Sequence, residues 1–89
     1  MASHKSAAKQ NRQSLVRRQR NRTRRTELRT AVKKLRAAVA QGNLELARTL
    51  LPETVSLFDR TAKVRAIHPG TADRQKSRLT RLVGRASAG

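Results

Sequence analysis

The chain of 89 residues has no cysteine, tryptophan or tyrosine, and its one phenylalanine is Phe58. Without cysteine it has neither a disulfide nor a thiolate metal site. No apolar run approaches the roughly 20 residues of a membrane span, and the N-terminus lacks the apolar segment of a secretory signal. These absences predict a cytoplasmic protein with no metal or other cofactor, and the length suggests one domain.

Acidic residues are also scarce, since 22 lysines and arginines face only five aspartates and glutamates, for a formal net charge of +17. A charge this large opposes compaction and favours a polyanionic partner. Nucleic acid is the commonest such partner, and an anionic membrane is the second candidate. The five acids form no recognisable motif, and His4 and His68 lack metal-ligand spacing, so the sequence does not predict an enzyme.

An all-α fold is predicted because apolar residues recur at three- and four-residue steps in three segments. The first helix extends from about residue 6 to a turn in which Gly42 suits a left-handed conformation and Asn43 an N-cap. The second extends over about residues 44–66 and the third over about residues 71–85. Short connections predict a three-helix antiparallel bundle. The first helix is the longest, so its basic N-terminal half projects beyond the other two.

The second helix contains a proline at a position where helices usually lack one. Pro52 has no backbone donor, so we expect it to kink this helix without ending it, since the apolar period continues across it. Leu46 and Val64 are predicted to widen the apolar face. Asp59 is predicted to pair with Lys63, one turn further along the chain.

Arginines surround the projecting helix on nearly all sides. With about 100° per residue, the widest uncharged gap on the helical wheel is only about 80° and holds Leu15, Gln19 and Thr26. A helix lying on one groove would need one basic face, so this pattern suits a segment threaded between several phosphate backbones. Sixteen of the 22 basic residues are arginine, whose planar fork binds phosphate bidentately.

The lack of aromatic residues indicates which nucleic acid is bound. A single-strand binder offers several aromatic stacking platforms, whereas Phe58 falls on the predicted core face. The remaining mode is recognition of folded duplex shape through phosphates and 2′-hydroxyls. Small polar residues among the arginines could bond phosphate or ribose: Ser14, Asn21, Thr23, Thr26 and Thr30.

Three other functions fit part of the pattern. A basic leucine zipper needs three or four heptads, and this apolar seam ends at Gly42 after fewer than two. A membrane-active peptide would need interfacial Trp and Tyr and an apolar face before residue 28. A histone-like DNA-compacting protein stays open as the alternative to an RNA-binding protein.

Two stretches of the chain resemble the bacterial small-subunit ribosomal protein family numbered twenty. The first is ASHKSAAKQNRQS followed by RRQRNRTRRTELRTAVKKLRAA, and the second, more specific, is DRTAKVRAIHPGTADRQKSRL. The resemblance implies a ribosomal location and a three-helix bundle whose long N-terminal helix is buried in 16S ribosomal RNA. It also implies that the protein joins the 5′ domain of that RNA to the long helix near its 3′ end.

We therefore predict a single RNA-binding helical domain, in which residues 1–26 are a basic extension of helix one and residues 27–89 form the bundle. No catalytic or metal-binding residue and no homo-oligomer is predicted. The predicted RNA-binding residues lie on helix one, in the second loop and on helix three: Lys5, Lys9, Arg12, Arg17, Arg18, Arg20, Arg22, Arg24, Arg25, Arg29, Lys33, His68, Arg74, Lys76 and Arg78.

Overall fold

Three helices make up the fold, which confirms the predicted all-α class. The computed structural model describes the backbone of residues 2–88 and the side chains of residues 8–88. The helices are α1 (Ala2–Ala40), α2 (Leu44–Lys63) and α3 (Pro69–Ala88). α2 lies in the middle and packs against both neighbours, whereas α1 and α3 barely touch. This arrangement leaves a groove between α1 and α3 on one side of the bundle.

The turn between α1 and α2 forms as the sequence predicts. Gly42 has a φ of +74°, the left-handed conformation that glycine adopts without steric cost. The amides of Gly42 and Asn43 donate to the carbonyls of Val39 and Ala38, at 3.1 and 2.9 Å, which is the Schellman pattern. The Asn43 side chain then accepts from the amide of Leu46 at 3.2 Å and caps α2.

The end of α2 differs from the prediction, because the helix ends at Lys63 rather than near residue 66. Arg65 has a φ of +61°, and its amide and that of Ala66 donate to the carbonyls of Ala62 and Thr61 at 2.9 and 3.0 Å. This is a second Schellman pattern with arginine at the position that glycine usually occupies. The absence of glycine here hid the helix end from sequence reasoning.

The start of α3 also lies earlier than predicted. His68 precedes the helix, and its Nδ1 accepts from the amide of Gly70 at 3.0 Å, while its carbonyl accepts from Ala72 at 3.1 Å. His68 is therefore the N-cap, and Pro69 occupies the first helical position, where a missing amide costs nothing. α3 continues through Gly84 to Ala88, three residues beyond the predicted end.

Pro52 lies inside α2, which runs without interruption from Leu44 to Lys63. Proline removes the amide that would bond the carbonyl of Arg48. Both residues are exposed, so water can solvate the carbonyl that is left without a donor. The expectation that Pro52 does not end the helix is confirmed.

The core lies where the three helices meet and begins at Leu28. Leu35 and Leu79 are its largest fully buried apolar side chains. Thr54 and Thr61 are also buried, and their hydroxyls donate to the carbonyls four residues earlier at 2.8 and 2.6 Å, which makes a buried threonine tolerable. The other buried residues are Ala38, Ala47, Phe58, Ala66, Ala72 and Val83.

The molecule is elongated because half of α1 extends past the core. Its principal extents are 67 × 21 × 14 Å and its radius of gyration is 17.7 Å. A compact chain of this length would have a radius of gyration of about 12 Å. Before Leu28 the described part of α1 buries no side chain, and Leu15 is 62% exposed. The basic half of α1 is thus presented away from the bundle.

Candidate nucleic-acid interface

The arginines of α1 form the main candidate interface. From residue 8 onward the predicted basic residues of α1 are exposed, except for Arg24, which is half-buried beside the end of α2. In the part of the chain whose side chains are described, Lys76 is the only cation that forms an ion pair. The charge of the α1 arginines is therefore not offset by carboxylate partners. Lys5 was also predicted to bind RNA, and its side chain lies outside the described residues.

Three threonines on one stripe of α1 use their hydroxyl protons within the helix. Thr23, Thr26 and Thr30 donate to the carbonyls of Gln19, Arg22 and Thr26, at 3.0, 2.9 and 3.0 Å. Phosphate oxygens only accept hydrogen bonds, so these hydroxyls cannot bond phosphate without breaking the bonds they have. Their free lone pairs can still accept from a donor such as a ribose 2′-hydroxyl. Of the two ligands predicted for these threonines, the geometry favours ribose.

Arg74 and Arg78 lie on the exposed surface of α3, where phosphate could reach them. Lys76 lies between them and differs, because it donates to Asp59 at 2.5 Å and to Asp73 at 3.2 Å. The hydrogen bond to Asp59, together with that to Asp73, raises the pKa of Lys76 above its ordinary value of 10.5. Two carboxylates thus offset the charge of Lys76, which makes it the weakest of the predicted RNA-binding cations.

The Asp59–Lys76 contact also replaces a predicted one. The sequence predicted that Asp59 pairs with Lys63 one turn along α2, whereas the structure pairs it with Lys76 across the α2–α3 interface. A contact between two helices is set by how they pack, and sequence spacing alone does not show it. The pair holds the N-terminal half of α3 against α2.

His68 is exposed, as expected for a residue near phosphate, but it also caps α3. Because Nδ1 accepts the Gly70 amide, only Nε2 is left to meet a ligand. The ring packs closely on Gly70, where an added Cβ would lie 3.1 Å from Nδ1. This close approach explains the glycine after Pro69.

The structure brings only some of the predicted residues together. Arg29 and Lys33 line the groove between α1 and α3, and Arg22 lines a groove between α1 and α2, whereas Lys9 to Arg18 lie on the projecting part of α1. Arg36 lines the groove between α1 and α3 as well and was missed by sequence reasoning. Arg36 follows Lys33 by three residues and Arg29 by seven, so all three lie on one side of α1. This spacing could have identified Arg36 from the sequence.

Other kinds of site find no support in the described residues. No group of three or more His, Asp or Glu side chains is placed to hold a metal ion among them. None of the helices there has both the length and the apolar character needed to cross a membrane.

A small bundle of three helices that extends an arginine-rich helix free of carboxylate partners defines a basic helical protein whose exposed charge suits a polyanion. Comparison with known proteins narrows this class. A model of the family described as Ribosomal protein S20 matches residues 2–84. The chain belongs to this ribosomal protein S20 family, which agrees with the prediction that it is not an enzyme.

Individual relatives are similar over nearly the whole chain. The small ribosomal subunit protein bS20 of Desulfosudis oleivorans is 48% identical over 87 residues, which are 98% of this chain and 99% of the relative. The protein of the same name from Syntrophotalea carbinolica is 48% identical over 83 residues, covering 93% and 95%. The resemblance found in the two stretches of sequence is therefore confirmed.

Proposed function

We propose that the chain is a structural component of the small ribosomal subunit that binds 16S ribosomal RNA directly and stabilises its folded form. The observation that carries the proposal is the run of arginines on α1 between Arg12 and Arg25, which are exposed except for the half-buried Arg24 and none of which has a carboxylate partner. Such a helix repels itself at i,i+4 spacing and gains its stabilising contacts from phosphate. The partner regions are those that the family resemblance implies, the 5′ domain and the long helix near the 3′ end.

The burial of side chains from Leu28 onward supports a division of roles within the single proposed domain. Residues 1–26 supply the extension that enters the RNA, and residues 27–89 supply the bundle that fixes its direction. RNA is favoured over DNA because Thr23, Thr26 and Thr30 offer acceptors and no free proton, which suits a 2′-hydroxyl. The proposed site comprises the predicted cations of α1 and α3, with Lys76 as the weakest member, and functions as a monomer on the ribosome.

The proposal is tested by measuring binding of the full chain to the 5′-domain RNA and to a DNA duplex of equal length, at several salt concentrations. We expect tighter binding to the RNA at each concentration, and affinities that fall as salt rises. We also expect the native protein to sediment with small ribosomal subunits. Equal or tighter binding to DNA, together with sedimentation in the nucleoid fraction, would support the histone-like alternative instead.

A further inference from the structure

An apolar groove edged by cations lies between α1 and α3, and we call it the α1–α3 groove. Val32 of α1 and Ile67 of the second loop, both half-buried, supply its accessible apolar surface, and the buried core residues Leu28 and Phe58 lie behind them. Arg29, Lys33 and Arg36 of α1 line it as well, at spacings that place them on one side of that helix. Its volume is about 470 Å³, which lies within the range of sites for small ligands.

The groove exists because α1 and α3 diverge. Each packs on α2 but they barely contact each other, so apolar side chains at the centre are left partly uncovered. Val32 and Ile67 are half-buried for this reason, although both pack against the core. An occupant that is apolar and anionic at once would cover them and meet the cations of α1.

Two polar side chains at the α3 side of the groove have unused hydrogen-bonding groups. In the side chains described, every threonine donates to the carbonyl four residues earlier except Thr71. Thr71 lies in the first turn of α3, where no helical carbonyl precedes it. The side chain of Gln75, one turn further, likewise makes no hydrogen bond to a described residue, and both side chains are half-buried and line the groove.

We propose that the α1–α3 groove takes one unpaired nucleotide of the bound RNA. Its base lies on the apolar surface, its edge bonds Thr71 and Gln75, and its phosphate meets Arg29, Lys33 and Arg36. The inference rests on the proposed RNA binding and adds to it a contact that recognition through duplex shape does not supply. An amide and a hydroxyl match the donors and acceptors of any base edge, so the site accepts an unpaired base without a strong sequence preference.

Charge distinguishes this groove from the larger one between α1 and α2. That second groove holds Glu27 and Glu53 beside Arg22, Lys34 and Arg60, so two acids offset much of its positive charge and it attracts a phosphate less strongly. The α1–α3 groove holds three cations and no acid. Its cations also continue the arginine run of α1, so an RNA bound along that run reaches the groove without a break in positive charge. An acyl chain would leave Thr71 and Gln75 unbonded, which favours a base over a lipid.

The test uses the full chain and two short RNA duplexes of the same sequence, one of which carries a single bulged 2-aminopurine. We expect the bulged duplex to bind about tenfold more tightly at equal salt, because the base covers Val32 and Ile67 and bonds Thr71 and Gln75 in addition to the phosphate contacts. We also expect the fluorescence of the bulged base to change on binding. Equal affinity for the two duplexes would overturn the inference.

Two matched double variants test whether the α1–α3 groove causes the preference for the bulged duplex. Thr71→Asp with Gln75→Glu places two carboxylates in the groove near a helix N-terminus, where acids are tolerated. Thr49→Asp with Gln41→Glu adds the same charge at exposed sites outside it. We expect the preference for the bulged duplex to fall below about twofold in the groove variant and to persist in the control. Circular dichroism checks that both variants keep their helices.

Three further outcomes would contradict the inference, and each points to a different cause. Retention of the bulge preference by the groove variant would place the unpaired base elsewhere. Failure of both duplexes to bind would overturn the proposed RNA binding itself. Binding to phosphatidylglycerol vesicles that the groove variant alone loses, without a bulge preference in the parent chain, would assign the groove to lipid.

Discussion

Lys76 of α3 donates a hydrogen bond to Asp59 of α2 across 17 residues of sequence, and it is the one cation of the described side chains that has carboxylate partners. The raised pKa of Lys76 means that the folded chain holds this proton more tightly than the unfolded chain does. The resulting stability is fully present below the ordinary pKa of lysine and is lost as pH rises through the raised value.

The first prediction follows from this linkage. Replacing Lys76 by Gln should flatten the fall in unfolding free energy above about pH 10.5, because the group that loses its proton there is removed. Lys63→Gln is the matched control, since Lys63 is exposed and pairs with no carboxylate in the structure. Urea unfolding at several alkaline pH values measures the effect. An unchanged pH dependence in Lys76→Gln would contradict it.

The second prediction concerns the core. Leu35 is fully buried, so Leu35→Ala should lower the free energy of unfolding by about 2–5 kcal/mol. Leu15 is 62% exposed, and Leu15→Ala should change it by less than about 0.5 kcal/mol. Urea denaturation of the free chain measures both. Similar losses in the two variants would mean that the core does not begin at Leu28.

The third prediction concerns the phosphate contacts. Replacing six arginines of α1 by Gln should flatten the dependence of log K on log salt, because each lost contact removes roughly 0.7–0.9 from the slope. The six are Arg17, Arg18, Arg20, Arg22, Arg24 and Arg25. The control replaces six cations that lie outside the proposed site and should change the slope much less: Lys34, Arg48, Arg60, Lys63, Arg81 and Arg85. A six-arginine variant with the parent slope would exclude the projecting part of α1 as the phosphate-binding element.

The fourth prediction concerns the end of α2. Arg65 has the left-handed conformation that costs a side-chain-bearing residue roughly 1–2 kcal/mol. Glycine avoids this cost but loses more freedom on folding, so Arg65→Gly should raise the free energy of unfolding by up to about 1 kcal/mol. Arg65→Ala removes the same charge and keeps the Cβ, so it should not stabilise the chain. Equal melting temperatures for the two variants would disprove the role of the conformation.

The fifth prediction concerns the free chain. Side chains before Leu28 in the described part of α1 are not buried, and like-charged pairs such as Arg18–Arg22 and Arg20–Arg24 each cost about 0.2–0.5 kcal/mol. Packing supplies most helix stability in proteins, so the amides of residues 8–23 should exchange with solvent far faster than those of residues 30–38. Adding RNA should slow them, because phosphates replace repulsion by attraction. Equal protection of both segments without RNA would refute this expectation.

The helix starts and ends that follow sequence rules were predictable, and the others were not. Gly42 and Asn43 mark the first turn because their residue types match the conformations they adopt. Arg65 takes a glycine-like conformation that nothing in its residue type indicates. His68 caps α3 through Nδ1, a role that Ser, Thr, Asp or Asn would usually fill, so the helix start was placed too late.

Burial was predicted where residue type and helical period agree. Phe58 was placed on the core face and is buried, and the buried Leu28, Leu35 and Leu79 lie at the three- and four-residue apolar steps of their helices. Thr54 and Thr61 were missed, because a polar residue is buried only when its hydroxyl finds a partner, and that partner is a carbonyl of its own helix.

Two apolar residues at the two ends of α2, Leu46 within it and Val64 directly after it, were placed on the wrong surface. Leu46 and Val64 are 42% and 43% exposed, although they were expected to widen the apolar face of the helix. The neighbouring helices leave both side chains largely uncovered, and sequence periodicity does not show how far those helices reach. The α1–α3 groove was unpredictable for the same reason, since it depends on the divergence of two helices that both pack on a third.

Because α1 is continuous, a change in how it packs in the bundle is transmitted to its N-terminal end. The helix runs unbroken from the core at Leu28 and Leu35 to the arginines near its start, with no proline or glycine between them. Ala8 lies 20 residues from Leu28, or about 30 Å along a helix axis. A change of about 5° in the tilt of α1 on α2 would therefore displace that end by about 2.6 Å, close to the length of a hydrogen bond. A core substitution that leaves the chain folded but tilts α1 would thus misplace contacts many turns away.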